Sequence, residues 1–136
     1  MFEMINIDHV GIRVADLKTA RGFYEKLGFE FVAGPIGPEP VAIMKHPCGV
    51  VINFILNAVC SPKENILMDV EERHAGYTHI ALGVVDLLEV KNHMDKNNII
   101  ITEGPLNFGE GLGASLFIRD QDKNVIEFHQ AASLLE

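Results

Sequence analysis

Cysteine is scarce. Cys48 and Cys60 are the only two in 136 residues and lack a CxxC spacing, which excludes a zinc knuckle or a disulfide framework. Basic charge is also short: 11 Lys+Arg stand against 19 Asp+Glu, a formal net charge of −8 at pH 7. Such a balance repels phosphate backbones, so nucleic acid is not an expected partner. No apolar run approaches the roughly 20 residues that a membrane span needs, so no membrane partner is expected. The opening MFEMINID has neither the basic flank nor the apolar stretch of a secretion signal and predicts a cytoplasmic protein. What is present is ordinary globular material, 48% hydrophobic and 22% charged. A chain of this length buries about two-thirds of its unfolded surface, enough for one compact domain.

The chain is written twice. Ile7-Asp8-His9-Val10-Gly11-Ile12-Arg13-Val14-Ala15-Asp16-Leu17 aligns without a gap on Tyr77-Thr78-His79-Ile80-Ala81-Leu82-Gly83-Val84-Val85-Asp86-Leu87, offset by 70 (79 − 9). Val51-Ile52-Asn53-Phe54 aligns on Val125-Ile126-Glu127-Phe128, offset by 74 (125 − 51). Two units are too few for a solenoid and point instead to a duplicated module.

Each unit follows the same order. An alternating strand (5–14 and 77–84) ends at an N-capping Asp16 or Asp86. A helix follows. In the first unit Leu17, Ala20, Phe23, Tyr24 and Leu27 share a face, and Gly28 ends the helix. In the second, Leu87, Val90 and Met94 share a face, Asp86 with Glu89 resembles a capping box, and Asn97-Asn98 stops the helix. Three strand-like runs then complete each unit, at 29–33, 41–46 and 50–56, and at 99–102, 114–119 and 124–130. The order is β-α-β-β-β, twice, giving module 1 at about 5–57, a linker at 58–75 and module 2 at about 76–130. The stretch from Gly104-Pro105 to Gly113 reads as a mobile loop.

Strand alternation separates two faces. Val10, Ile12 and Val14, and likewise Ile80, Leu82 and Val84, suit packing under a helix. The opposite faces place His9 beside Gly11, and His79 beside Ala81 and Gly83. Small neighbours beside imidazoles leave space for something else. Either histidine alone would read as structural. The duplication predicts that positions 9, 53, 79 and 127 converge from equivalent strands. Two histidines and a carboxylate arriving together suit a divalent transition metal with open positions. His129 shares the face of Glu127, while His46, His74, His93, Cys48 and Cys60 have no partner pattern and read as structural.

These residues resemble the vicinal oxygen chelate superfamily of glyoxalase I, bleomycin and fosfomycin resistance proteins, methylmalonyl-CoA epimerase and extradiol dioxygenases. The resemblance spans about residues 5–130. It rests on His9-Val-Gly-Ile-Arg13-Val-Ala-Asp16-Leu with Phe23-Tyr24 and Leu27-Gly28-Phe29, on Gly76-Tyr77-Thr78-His79-Ile80-Ala81-Leu82, and on the run from Phe117 to Phe128. It implies an α+β fold of two tandem βαβββ modules forming a cupped mixed β-sheet with helices outside. It also implies a homodimer, the site forming within one chain or by module exchange between two. Carried over, the metal ligands are His9, His79 and Glu127, with Asn53 at the fourth position.

Position 53 departs from glyoxalase I, which has Glu there. An amide oxygen can coordinate a metal, but it cannot accept a proton at neutral pH. Asn53 is therefore either a ligand or a hydrogen-bonding neighbour. Arg13 and Asn57 fall where glyoxalase I contacts glutathione, and the Arg13 fork suits oxyanions. Ala75 and Gly113 replace its other basic contacts, which argues against a glutathione-dependent substrate.

The resemblance implies a small-molecule substrate and one divalent ion (Ni, Co, Zn, Mn or Fe). The expected activity is that of a glyoxalase-family, lactoylglutathione lyase-like enzyme: a metal-dependent lyase or isomerase working through a metal-stabilised enediolate. Glu127 is the expected proton-moving carboxylate, with Glu110 a weaker candidate, and His129 joins Arg13 and Asn57 as a substrate contact. Two alternatives remain: an extradiol-type Fe(II) dioxygenase, and a non-catalytic drug or metabolite binder.

Overall fold

The computed structural model describes residues 1–135. The chain divides into two compact units, Met1–Ser61 and Pro62–Glu136. The first holds β1 (Val10–Arg13), α1 (Leu17–Lys26), β2 (Glu30–Ile36), β3 (Val41–Lys45) and β4 (Val51–Ile55). The second holds β5 (His79–Val84), α2 (Leu87–Lys96), β6 (Ile101–Asn107), β7 (Ala114–Arg119) and β8 (Val125–Gln130), then a short 3₁₀ turn at Ala132–Leu134. Each unit is βαβββ, and each forms its own four-stranded mixed sheet, ordered β1-β4-β3-β2 and β5-β8-β7-β6. The first strand runs parallel to the last, and the other pairs are antiparallel. The α+β architecture of two repeated modules is the one the sequence implies. Among the described residues no helix is long and apolar enough to cross a membrane.

The helices start and stop where the sequence marks them. Asp16 caps α1 by accepting from Thr19 N at 2.9 Å and Thr19 Oγ1 at 2.8 Å, and these bonds hold its carboxyl below the usual range. Asp86 caps α2 through Leu88 N at 2.9 Å, one residue earlier than a capping box with Glu89 would place the bond. Both helices end on the same turn: Phe29 N donates to Tyr24 O, and Ile99 N donates to Met94 O, 70 residues on (99 − 29). Gly28 lies at φ +97° and its counterpart Asn98 at φ +56°, the left-handed conformation this turn needs.

The helix-facing side of each sheet is the core. In the first module Ala42, Met44, Ile52 and Phe54 are fully buried. The Tyr24 ring meets Phe29 and Phe54 edge-on, with centroids 5.7 and 5.3 Å away. In the second module Leu116, Ile118, Ile126 and Met94 play the same part.

Several boundaries differ from the periodicity. β1 begins at Val10, not near residue 5, because β4 begins at Val51 and residues further upstream have no ladder to join. His9 thus lies one residue ahead of β1. β2 and β6 instead run longer than expected, through Gly34-Pro35 and Gly104-Pro105. Each carries register shifts, the second between Ala33 and Ile36 or between Glu103 and Leu106, so a bulge absorbs the Gly-Pro pair and pairing resumes. The loop left over is only 108–113.

Residues 62–73 lie along the β7–β8 turn of the second unit. Lys123 Nζ donates to the carbonyls of Pro62 and Lys63 at 2.7 Å, and Asn65 Nδ2 donates to Lys123 O at 3.1 Å. Arg119 grips both oxygens of Asp69 at 2.7 and 2.8 Å. That fork holds the Asp69 carboxyl below its usual range and raises the Arg119 guanidinium. Asp120 organises the turn itself, accepting from the backbone N–H of Asp122 and of Asn124 at 2.9 Å.

Candidate functional site

The sheet face away from α2 gathers polar groups in a pattern that packing alone does not require. The parallel pair β5–β8 sets Ala81 against Glu127, and the small Ala81 leaves the carboxylate room. His79, two residues before Ala81 on the same face, brings Nε2 to 3.0 Å from Glu127 Oε1. Nδ1 of His79 lies 2.8 Å from Thr78 Oγ1, and the ring meets Phe117 edge-on with centroids 6.3 Å apart. The other carboxylate oxygen, Oε2, accepts from Ser115 Oγ at 2.6 Å. Ser115 Oγ also lies 2.7 Å from Nδ1 of His129. The Phe108 ring stacks on His129, with centroids 6.5 Å apart and planes at 26°.

Gly113 is part of this arrangement. A Cβ there would sit 2.9 Å from His129 Nε2 and 2.4 Å from Gln130 O, so only glycine lets the loop close over the imidazole. The sequence marks Gly113 only as the end of a glycine-rich loop, and the resemblance to glyoxalase I only as the place of a missing basic residue.

A depression of about 400 Å³ opens beside the pair, lined by Thr78, His79, Phe117 and Glu127 among others. Arg119 also borders it, but its guanidinium is occupied by Asp69. The depression therefore offers hydroxyl, imidazole and carboxylate groups rather than a free cation from that arginine.

The first module repeats the register: Gly11 pairs with Asn53 as Ala81 pairs with Glu127. Asn53 Oδ1 is buried without a hydrogen-bond partner. A buried amide oxygen left open costs free energy unless a donor or a cation reaches it. His9 is exposed, with Nδ1 on Asp8 Oδ1 at 2.7 Å. Arg13 and Asn57, singled out from the sequence, do meet: Arg13 Nε donates to Asn57 Oδ1 at 2.8 Å. Asn57 in turn donates to Glu39 Oε1 at 3.0 Å, and Arg13 also lies 3.6 Å from Glu39. Glu39 carries no sequence signal; only the fold shows that it partly neutralises Arg13.

The remaining candidates lie elsewhere. His46 accepts from Cys48 N at 3.0 Å and packs edge-on against Phe29. His74 stands 3.9 Å from Glu72, and Glu110 is exposed on the loop.

Whether these residues suit a divalent ion can be tested on the His79–Glu127 pair. Two ligands bonded at about 2.1 Å and at right angles lie about 3.0 Å apart, the spacing these atoms have. The 3.0 Å contact is a hydrogen bond when His79 carries its proton on Nε2; in the other tautomer, with Nδ1–H donating to Thr78 Oγ1, Nε2 and Oε1 both offer lone pairs that a cation would satisfy. The donor set fits. Among the described residues, no three His, Cys, Asp or Glu side chains are already clustered as a metal site.

The profile of the glyoxalase/bleomycin resistance protein/dioxygenase superfamily matches residues 6–128. No match is found among functionally curated proteins. An integron cassette protein of V. cholerae is similar in structure, with 25% identity and a TM-score of 0.68, covering 96% of this chain and 98% of that one. The fosfomycin resistance protein FosX of Listeria monocytogenes shares the fold at 17% identity and a TM-score of 0.69, covering 93% and 91%. The antibiotic-binding protein TnmS3 of Streptomyces does so at 15% identity and a TM-score of 0.72, covering 96% and 99%. The chain belongs to the glyoxalase/bleomycin resistance protein/dioxygenase superfamily.

Proposed function

We propose that this protein is a metal-dependent lyase or isomerase of the glyoxalase type, acting on a small molecule with neighbouring oxygens. The supporting observation is the His79–Glu127 pair, whose facing atoms stand at cis-ligand spacing while Thr78 and Ser115 contact their outer sides. His9, His79 and Glu127 are the proposed ligands of one divalent ion (Ni, Co, Zn, Mn or Fe). Asn53, with its open buried oxygen, is the proposed fourth. The ion would supply Lewis-acid stabilisation of negative charge on two adjacent substrate oxygens.

The chain's own groups supply the rest. Glu127 is proposed as a ligand that can detach, its Oε1 then serving as proton acceptor and donor, since Oε2 is engaged by Ser115. Asn53 can hold but cannot take a proton. Proton transfer is therefore one-sided, which suits a lyase step or a single-base isomerisation. Arg13 and Asn57 are proposed to orient the substrate, and the half-exposed His129 ring to contact it. Because Glu39 already occupies part of the Arg13–Asn57 cluster, a bulky glutathione adduct is a poor fit. The proposed setting is a homodimer in the cytoplasm.

A second reading, a drug or metabolite binder, draws support from the depression beside Phe117, which can seat a ligand without turnover. Elemental analysis of the purified protein, with turnover assays after loading nickel, cobalt and zinc in turn, separates the readings. Bound nickel, cobalt, zinc or manganese with turnover of an α-hydroxycarbonyl compound supports the lyase or isomerase. Iron with ring-opening of a catechol would favour the dioxygenase. Tight ligand binding by metal-free protein would overturn both in favour of the binder.

A further inference from the structure

We propose that Ser115 is the positioning residue of this site: its hydroxyl accepts from His129 Nδ1–H and donates to Glu127 Oε2, and so leaves Oε1, the oxygen facing His79, as the one an ion would take. The inference rests on the metal-dependent reading above. Ser115 is fully buried on β7, where its neighbours Ala114, Leu116 and Ile118 are apolar. A buried hydroxyl on such a strand is costly unless it is bonded on both sides. Here it is. Ser115 stands directly opposite His129 in the β7–β8 register, and Glu127 is its diagonal neighbour.

The proton count sets the direction of each bond. A serine hydroxyl carries one proton, and an ionised carboxylate only accepts. The 2.6 Å contact to Glu127 Oε2 therefore uses the Ser115 proton. The 2.7 Å contact to His129 must then be made by a proton on Nδ1. The neutral His129 ring is fixed as the Nδ1–H tautomer, with Phe108 stacked on it and Gly113 closing beside it. The chain His129–Ser115–Glu127 thus fixes the carboxylate rotation from behind. Partners of this kind typically change metal affinity 10- to 100-fold when removed.

Two measurements test the relay. Titration of cobalt(II) into metal-free parent and Ser115→Ala, followed by calorimetry, should show about 10- to 100-fold weaker binding in the variant. Unfolding curves establish that Ser115→Ala remains folded. Unchanged affinity in a folded variant would overturn the proposal. Nitrogen NMR of the histidines in metal-free protein near pH 8, where a free imidazole is neutral, reads the tautomer without any metal. The parent should show His129 protonated on Nδ1, and Ser115→Ala should shift it toward Nε2. A parent already protonated on Nε2 also overturns the relay. If the parent binds no cobalt, the metal reading fails, and the tautomer result alone decides the hydrogen-bond chain.

Discussion

His79 Nε2 and Glu127 Oε1 face each other at 3.0 Å from two parallel neighbouring strands, with no side chain between them. Each is supported on its far side, His79 by Thr78 and Glu127 by Ser115. A pair held in this way is already in the geometry it would keep around an ion, so little ordering is left to binding.

Replacing His79 should therefore empty the site. Elemental analysis of His79→Ala is expected to show less than about a tenth of the parent's metal, because the remaining donors no longer enclose an ion. Equal metal in both proteins would remove His79 from the ligand set.

Asn53 makes a second test. Asn53→Glu places a proton acceptor in the register position equivalent to Glu127. Turnover of the methylglyoxal–glutathione adduct, weak or absent in the parent, should rise by about 100-fold, the low end of what a placed base contributes. Vigorous turnover by the parent would show that one carboxylate suffices.

Phe54 tests the core of the first module. It is fully buried and meets Tyr24 edge-on, so Phe54→Ala should cost about 3–5 kcal/mol. Denaturant unfolding measures this. A loss below about 1 kcal/mol would mean the core closes over the gap.

The Arg119–Asp69 fork predicts acid lability along 62–73. Arg119 lowers the folded-state Asp69 value, so its contribution is present above the unfolded carboxylate range and lost as pH falls through the depressed value. Both side chains keep contact with water, which limits the effect to about 1 kcal/mol. Amide-exchange protection of this segment, taken relative to the intrinsic rate at each pH, should fall in acid in the parent. In Asp69→Asn it should already be low at neutral pH, and a variant with parental protection would dismiss the fork as a restraint.

The sequence made the module legible because its signals are local and repeated. Asp16 and Asp86 mark helix starts, Gly28 marks a stop, and the Val-Ile-x-Phe runs mark the last strands. Asn98 was legible as a stop but not as the conformational twin of Gly28, because asparagine reaches the left-handed region less openly than glycine. The Gly34-Pro35 and Gly104-Pro105 repeat, offset by 70 (104 − 34), is visible in the sequence, yet turn chemistry hides that both strands continue beyond it. Ser115 was invisible. One serine in an apolar strand has no signal until strand register sets it opposite His129. His79 and Glu127 could be named from the duplication, and Arg13 and Asn57 from the family resemblance, but Thr78, Glu39 and Phe108 become partners only through folding.

The bulges in β2 and β6 also decide which sheet margins another chain could extend. Both strands are outermost in their sheets, and in each a proline offers no N–H while the register shifts interrupt the row of backbone groups. A growing fibril or a stray peptide needs an unbroken row to copy, so these margins are poor templates. The opposite margins, β1 and β5, carry no such interruption. In each module the uninterrupted margin is thus the one that bears His9 or His79.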